Sequence, residues 1–301
     1  MQASSISAEK RYVRARSVAE AIAALRDSGD AGVIVAGGLV VSSLINQGLL
    51  AADTIIDINR IDGLRRISIE LDGHLWIGAL TTHSDILKSP VVAATAPLLA
   101  EIAKDIACGR LRNRGTVGGS LCMIGQQGDP AIGLIALGAE LHIQGPNEKR
   151  VVPLEDFYGK AFEIDLQPSE IVVGVSVARR NEPQQWGFAK VGPRNAMDWT
   201  QLAVSVALSL DQTRTTIKQI YIGMNGAAPA ALRTRHAENA LRGRAVHAIP
   251  WPDVIDSLQE DLAPESDVVF SADHKRHLAS VLLKRAVAKS LAMEPGSTGD
   301  R

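Results

Sequence analysis

The chain has 301 residues, 46% hydrophobic and 22% charged, which is enough apolar content for a sizeable core and enough length for two or three domains. Lys and Arg total 32 against 33 Asp and Glu, a formal charge of -1 that excludes a global nucleic-acid footprint or a membrane-surface charge, so any basic site has to be local. Two cysteines, Cys108 and Cys122, exclude a disulfide framework, a zinc cluster or four iron-sulfur ligands. They point instead to a reducing, cytoplasmic setting, and no run approaches the ~20 apolar residues of a membrane span.

Ser17 and Glu20 have capping-box spacing, and Val18, Ile22 and Leu25 follow on one helical face, predicting a helix from about 18 to Gly29. Residues 32–36 (GVIVA) read as a buried strand running into Gly37-Gly38, then a short helix over LVVSSLINQG and a strand over 54–58. A glycine turn at the carboxyl end of a strand is a frequent ligand location. Residues 74–80 read as a strand, followed by a helix near THSDIL and a longer one over PLLAEIAKDIA, with Leu98, Leu99, Ile102 and Ile106 on one face. Asp129 and Pro130 look like N-cap and N1 of the helix PAIGLIALG, after which AELHIQG resumes strand structure.

From about 170 the strands lengthen: EIVVGVSVA, GFAKVG, TQLAVSVALSLD and TIKQIYIGMNG. Leu202, Val204, Val206, Leu208 and Leu210 alternate, which predicts a sheet with one buried face. Helices are expected near 230–242, 252–262 and 273–291, and EPGSTGDR reads as a disordered tail. No internal repeat is present.

Two glycine pairs, Gly37-Gly38 and Gly118-Gly119, can let backbone approach a ligand closely and aim amides at an anion, or can be plain tight turns. Neither G-x-G-x-x-G after a strand nor G-x-x-x-x-G-K-[ST] occurs. Arg110, Arg112 and Arg114 alternate before the second pair; in an extended segment they would line one side and could neutralise a diphosphate, or form salt bridges to Glu101 and Asp105. Asp129 can cap its helix, accept from ligand hydroxyls, or both. Cys122 and Met123 read as packing residues. The seven histidines show no H-E-x-x-H pairing, His274 and His277 read as surface residues, and no G-x-S-x-G elbow is present.

VAGG after a strand, DINRIDGLRRI, IGALTTHSDI, LLAEIAKDIACGRLRNRGTVGGSL and Asp129 resemble, in order and spacing, the flavoprotein subunit of the molybdenum hydroxylases. GFAKVGPRNAMDW and IGMNGAAPAALRTRHAENALRGR extend the resemblance through the C-terminal part, to cover about residues 8–290. That family includes carbon monoxide dehydrogenase medium subunits, the FAD domain of xanthine dehydrogenase, and subunits of enzymes that hydroxylate N-heterocycles.

The resemblance implies an α+β fold: an N-terminal FAD-binding subdomain (1–57) and a middle one (58–178), together of the vanillyl-alcohol-oxidase (PCMH) type. A C-terminal sheet-and-helix domain of the CO dehydrogenase flavoprotein type (179–292) and a tail (293–301) follow. It implies one pyrophosphate loop through Ala36, Gly37, Gly38, Leu39 and Val40, and a second through Thr116, Val117, Gly118, Gly119 and Ser120. Asp129 is the implied partner of ribityl or adenosine hydroxyls, and Lys190 is placed near the flavin ring.

FAD is the implied cofactor, with molybdopterin on a large partner subunit and 2Fe-2S clusters on a small one, in a heterotrimer or a dimer of heterotrimers that serves an external electron acceptor. Neither a catalytic acid or base nor a metal site is implied for this chain. An autonomous FAD-dependent oxidoreductase and a flavin-free scaffold subunit are the alternative readings. The residues distinguish neither the substrate nor the acceptor, whether quinone, cytochrome, oxygen or NAD. Many family members carry polar residues where this chain has Leu39 and Val40, Pro at Ser43, and His and Asp-Pro where it has Met123, Gly125 and Gln126; backbone contacts survive such changes, side-chain contacts do not.

Overall fold

The computed structural model describes residues 11–123, 128–159, 163–180, 182, 184–193 and 199–293; Gly125, Gln126 and the tail beyond 293 lie outside them. The first sheet is parallel and holds β1 (Arg11–Arg14), β2 (Gly32–Val35) and β3 (Thr54–Asp57) in the order β1-β3-β2. Helix α1 (Val18–Ser28) crosses from β1 to β2, and α2 (Leu39–Asn46) from β2 to β3. Ser17 Oγ accepts from Glu20 N at 3.1 Å, while the Glu20 carboxylate reaches back to Arg16 N at 2.7 Å, one residue before the reciprocal position of a capping box. Central β3 buries Ile56 among Ile22, Leu25 and Leu64, whereas β2, expected to be buried, is an edge strand and only half-buried.

Next come β4 (Ile67–Ile69), β5 (Leu75–Gly78), α3 (His83–Lys88), α4 (Pro90–Thr95), α5 (Pro97–Lys104), α6 (Gly109–Arg112), α7 (Val117–Leu121) and α8 (Asp129–Ala136). They are followed by β6 (Glu140–Gln144), β7 (Lys149–Pro153), α9 (Leu154–Phe157) and β8 (Ile171–Val177), and the strands form one antiparallel sheet ordered β4-β5-β8-β6-β7. Thr82 and Asp85 make a full capping box on α3. Ile106 lies past the end of α5, although it packs against the same core as Leu98, Leu99 and Ile102.

The third sheet is antiparallel, with β9 (Gln185–Val191), β10 (Leu202–Leu210), β11 (Ile217–Asn225) and β12 (Leu232–Arg233) in the order β12-β11-β10-β9. Helices α10 (Arg235–Leu241), α11 (Trp251–Asp261) and α12 (Ala272–Leu291) complete the chain. The expected single buried face of β10 is corrected by the structure: every residue from Leu202 to Ser209 is buried. Leu202, Val204, Val206 and Leu208 pack with Ala279, Leu283 and Ala286 of α12, while Ala203 and Ala207 join the core that holds α8. The alternation is large against small rather than apolar against polar, because a helix covers each face.

All eight residues of α8 are buried, since it lies between the middle sheet's helices and the third sheet. Gly223 of β11 permits this approach: a Cβ there would lie 2.2 Å from Ile132 O of α8. The burial places Asp129, at the start of α8, in the seam between the two layers.

Candidate functional site

The two glycine loops, far apart in sequence, meet through one arginine. A Cβ on Gly37 would lie 1.9 Å from Arg114 O, and Arg114 Nε donates to Gly37 O at 3.2 Å. Gly38 has φ +77 and caps α2 with no side-chain acceptor. The first hydrogen bond of α2 runs from Ser42 N to Gly38 O, so the amides of Leu39, Val40 and Val41 have no acceptor in that helix. Leu39 and Val40 themselves are exposed, so what this loop presents to a ligand is backbone.

The second loop is built differently. Thr116 Oγ1 accepts from Gly119 N at 3.1 Å, Gly118 N donates to Ala79 O, Val117 N to Thr81 O and Ser120 N to Thr116 O. A Cβ on Gly118 would sit 2.7 Å from Ala79 Cβ, and one on Gly119 would sit 2.8 Å from Thr116 Oγ1, so both glycines are required by packing within the loop. The Ser120 side chain faces Gly128, whose Cβ position would be 3.6 Å from Ser120 Oγ, and links the loop to the start of α8.

The three arginines do not line an extended segment. Arg110 and Arg112 lie in α6, and Arg112 Nη1 donates to Ile106 O at 2.8 Å and to Ala107 O, closing the turn in which Ala107 has φ +39. Glu101, one expected salt-bridge partner, pairs with Lys104 at 3.1 Å. Only Arg114 reaches the first glycine loop.

Asp129 is not the N-cap; Gly128 is, with Asp129 at N1 and Pro130 at N2. An acidic residue in the first turn still complements the helix dipole. At 6% exposure, its Oδ2 accepts from Thr200 Oγ1 at 2.9 Å and from Lys190 Nζ at 3.3 Å. Lys190, on β9, also donates to Asp105 O at 2.5 Å. Asp129 Oδ1 is buried with no hydrogen-bond partner among the described residues, an acceptor that a buried carboxylate rarely leaves unused. Thr200 and the Asp105 carbonyl carried no signal in the sequence, because Thr200 reaches the site by the packing of β10 against α8 and Asp105, at the end of α5, by the packing of α5 against β9.

His83 underlies the second loop. It is 5% exposed, its Nε2 lies 3.0 Å from Ser120 Oγ, and a Cβ on Gly115 would touch its ring at 2.9 Å. Burial lowers its pKa to about 4, and the Arg112 guanidinium adds to the shift. The native state therefore holds the ring neutral while the unfolded chain protonates near the ordinary value of 6.5. The stabilisation is complete above that value and is lost as pH falls toward about 4, where the unfolded chain binds a proton that the native chain does not. Urea unfolding of the wild type is expected to show a loss of about 2–3 kcal/mol from this group over that window, and His83→Gln to lack that component. An identical pH dependence in the two proteins would contradict it.

Cys122 packs against the middle core and burial pushes its thiol up to about 12, as a packing residue requires. A separate cleft of about 550 Å³, lined by residues including Glu155, Tyr158, Ala230, Arg233 and Arg235, is not lined by the glycine loops or Asp129. The chemistry-bearing groups are linked pairwise: the first loop, with the free amides of α2, to Arg114, Ser120 of the second loop to Gly128, and the neighbouring Asp129 to Lys190 and Thr200. An anion suits the first loop, and a hydroxyl donor suits the unsatisfied oxygen of Asp129.

Among known families, one described as "FAD binding domain in molybdopterin dehydrogenase" matches residues 5–179, and one described as "CO dehydrogenase flavoprotein C-terminal domain" matches 188–290. The chain is 33% identical over 278 residues to the carbon monoxide dehydrogenase medium chain of Hydrogenophaga pseudoflava, covering 92% of this chain and 95% of that one. It is 28% identical over 280 residues to the nicotine 6-hydroxylase medium subunit of Paenarthrobacter nicotinovorans, covering 93% and 96%. The structure of carbon monoxide dehydrogenase from Hydrogenophaga pseudoflava lacking the Mo-pyranopterin moiety superposes with a TM-score of 0.89 at 33% identity, over 94% of this chain and 98% of that one. Quinoline 2-oxidoreductase from Pseudomonas putida 86 gives 0.85 at 26% identity, over 94% and 96%.

Proposed function

The chain belongs to the FAD-binding medium subunits of the molybdopterin dehydrogenases, and from that premise we propose that it is the electron-transfer flavoprotein of a heteromeric molybdenum hydroxylase. It receives electrons from 2Fe-2S clusters on a small subunit and passes them to an external acceptor, while a large molybdopterin subunit oxidises the substrate, an N-heterocycle, a purine or CO. One copy of each subunit forms a heterotrimer, alone or doubled. The domains run 1–57, 58–178 and 179–292.

Within this reading, Ala36, Gly37, Gly38, Leu39 and Val40 hold the FAD diphosphate through main-chain amides, and Thr116, Gly118, Gly119 and Ser120 form the facing wall. Asp129 accepts from cofactor hydroxyls, and Lys190 orients it from the C-terminal layer. When bound, FAD supplies the redox chemistry, taking electrons singly from iron-sulfur centres and giving them up in pairs. The protein's part is binding, orientation and exclusion of water. The observation that carries the reading is the buried Asp129 Oδ1, without a partner among the described residues, beside a carboxylate oxygen already held by Lys190 and Thr200. A site finished on one side and open on the other fits a hydroxyl-bearing ligand.

The full chain mixed with FAD and desalted is expected to keep the flavin spectrum. The bound flavin is expected to stay oxidised when aldehydes or N-heterocycles are added without partner subunits. Flavin lost both from the chain alone and from a complex co-expressed with the large and small subunits would favour a scaffold, and reduction without partners would make the chain an autonomous oxidoreductase.

A further inference from the structure

We propose that Arg114 is the cationic side chain of the diphosphate site, bridging the two glycine loops; the assignment rests on the FAD reading above. Three features of the structure converge on it. First, the second loop offers few open donors, because the amides of Val117, Gly118, Gly119 and Ser120 all have acceptors inside the fold. Charge on that side of the seam has to come from a side chain.

Second, Arg114 is aimed at the first loop and uses little of its donor capacity there. Its Nε donates to Gly37 O, its Nη2 lies 3.7 Å from the position a Gly38 Cβ would take, and four of its five N–H groups have no acceptor among the described residues. Arg112, by contrast, is engaged by the carbonyls of Ile106 and Ala107.

Third, the placement is electrostatically unfavourable without an anion. The guanidinium stands over the N-terminal end of the eight-residue α2, whose first amides carry the positive end of the helix dipole, and no described carboxylate pairs with it. A cation held against a positive helix end is repelled; a doubly charged diphosphate between them turns both into favourable contacts. The Nε–Gly37 bond holds the fork at the first loop and leaves both terminal nitrogens free among the described residues to meet a diphosphate, a geometry an ammonium cannot reproduce.

Full-length wild type, Arg114→Lys and Arg114→Gln would be titrated with FAD by flavin fluorescence at low and at physiological salt, with thermal unfolding recorded without FAD. The glutamine variant is expected to bind FAD about 10- to 100-fold more weakly and with a shallower salt dependence. Lysine keeps the charge and loses the fork, so it is expected to fall between the two and to retain the salt dependence. Arg114 is exposed, and both variants are expected to unfold near the wild-type temperature. Unchanged affinity and salt dependence in a folded glutamine variant would overturn the proposal. Equal losses in both variants with the wild-type salt slope would do so as well, leaving Arg114 a loop tie only. Failure of wild type to bind FAD, alone and in the complex, removes the FAD reading itself and is seen before any variant is made.

Discussion

Gly37→Ala is expected to strip the full chain of FAD and to lower its stability by about 2–3 kcal/mol. The reason is close approach. A Cβ at this position would lie 1.9 Å from Arg114 O and 2.8 Å from Arg114 C, both backbone atoms of the facing loop that no rotamer change can move. The two loops have to part, which breaks the Arg114–Gly37 hydrogen bond and moves the amides of α2 away from the seam. Gly38→Ala provides the control. Its nearest neighbours would be 3.5 Å away, and its penalty comes only from the left-handed backbone at φ +77, about 1 kcal/mol. Chemical denaturation and the flavin absorbance retained after desalting measure the pair. Wild-type flavin retention and a wild-type midpoint in Gly37→Ala would show that the loops are not held in contact as described.

Asp129→Ala is expected to cost about 3 kcal/mol of stability and to abolish FAD retention. The substitution removes both carboxylate oxygens from a site where Lys190 is only 12% exposed, leaving its ammonium, among the described residues, with the Asp105 carbonyl. Thr200 also loses its acceptor. Asp129→Asn separates the two effects. It keeps the shape and one acceptor oxygen, so most of the stability is expected to return, while the charge that strengthens a hydroxyl contact does not, and FAD affinity is expected to fall about 10-fold or more. Urea midpoints and FAD titrations of both variants give the answer. Full-strength FAD binding by Asp129→Asn would remove the charge of Asp129 from the binding site, and a wild-type midpoint in Asp129→Ala would mean that Lys190 does not depend on it.

Much of the architecture was legible because local chemistry and global fold agree along most of the chain. Helix α1 runs between its caps Ser17 and Gly29, as its cap residues require, and α12 spans nearly the stretch expected to be helical. Short elements were the ones missed. Four-residue β1, three-residue β4 and two-residue β12 carry too few residues for a period to register, and each exists only because a neighbouring strand pairs with it. The arginine alternation misled for a related reason: GRLR reads equally as strand or helix, and the packing of the turn at Ala107 chose the helix.

By itself, the sequence carried the resemblance to the family and, through it, the FAD cofactor and the mixed helix and sheet fold, while the order of the longer elements followed from residue types at fixed spacing. Tertiary structure alone decided which of three arginines faces the first glycine loop, that the second loop's amides are already engaged, and that β10 is buried on both faces. It also moved Asp129 from the expected cap to N1 and brought Lys190 and Thr200 to it from 61 and 71 residues away. These are matters of approach between distant segments. They depend on how α8 settles between two sheets, and no local spacing encodes that.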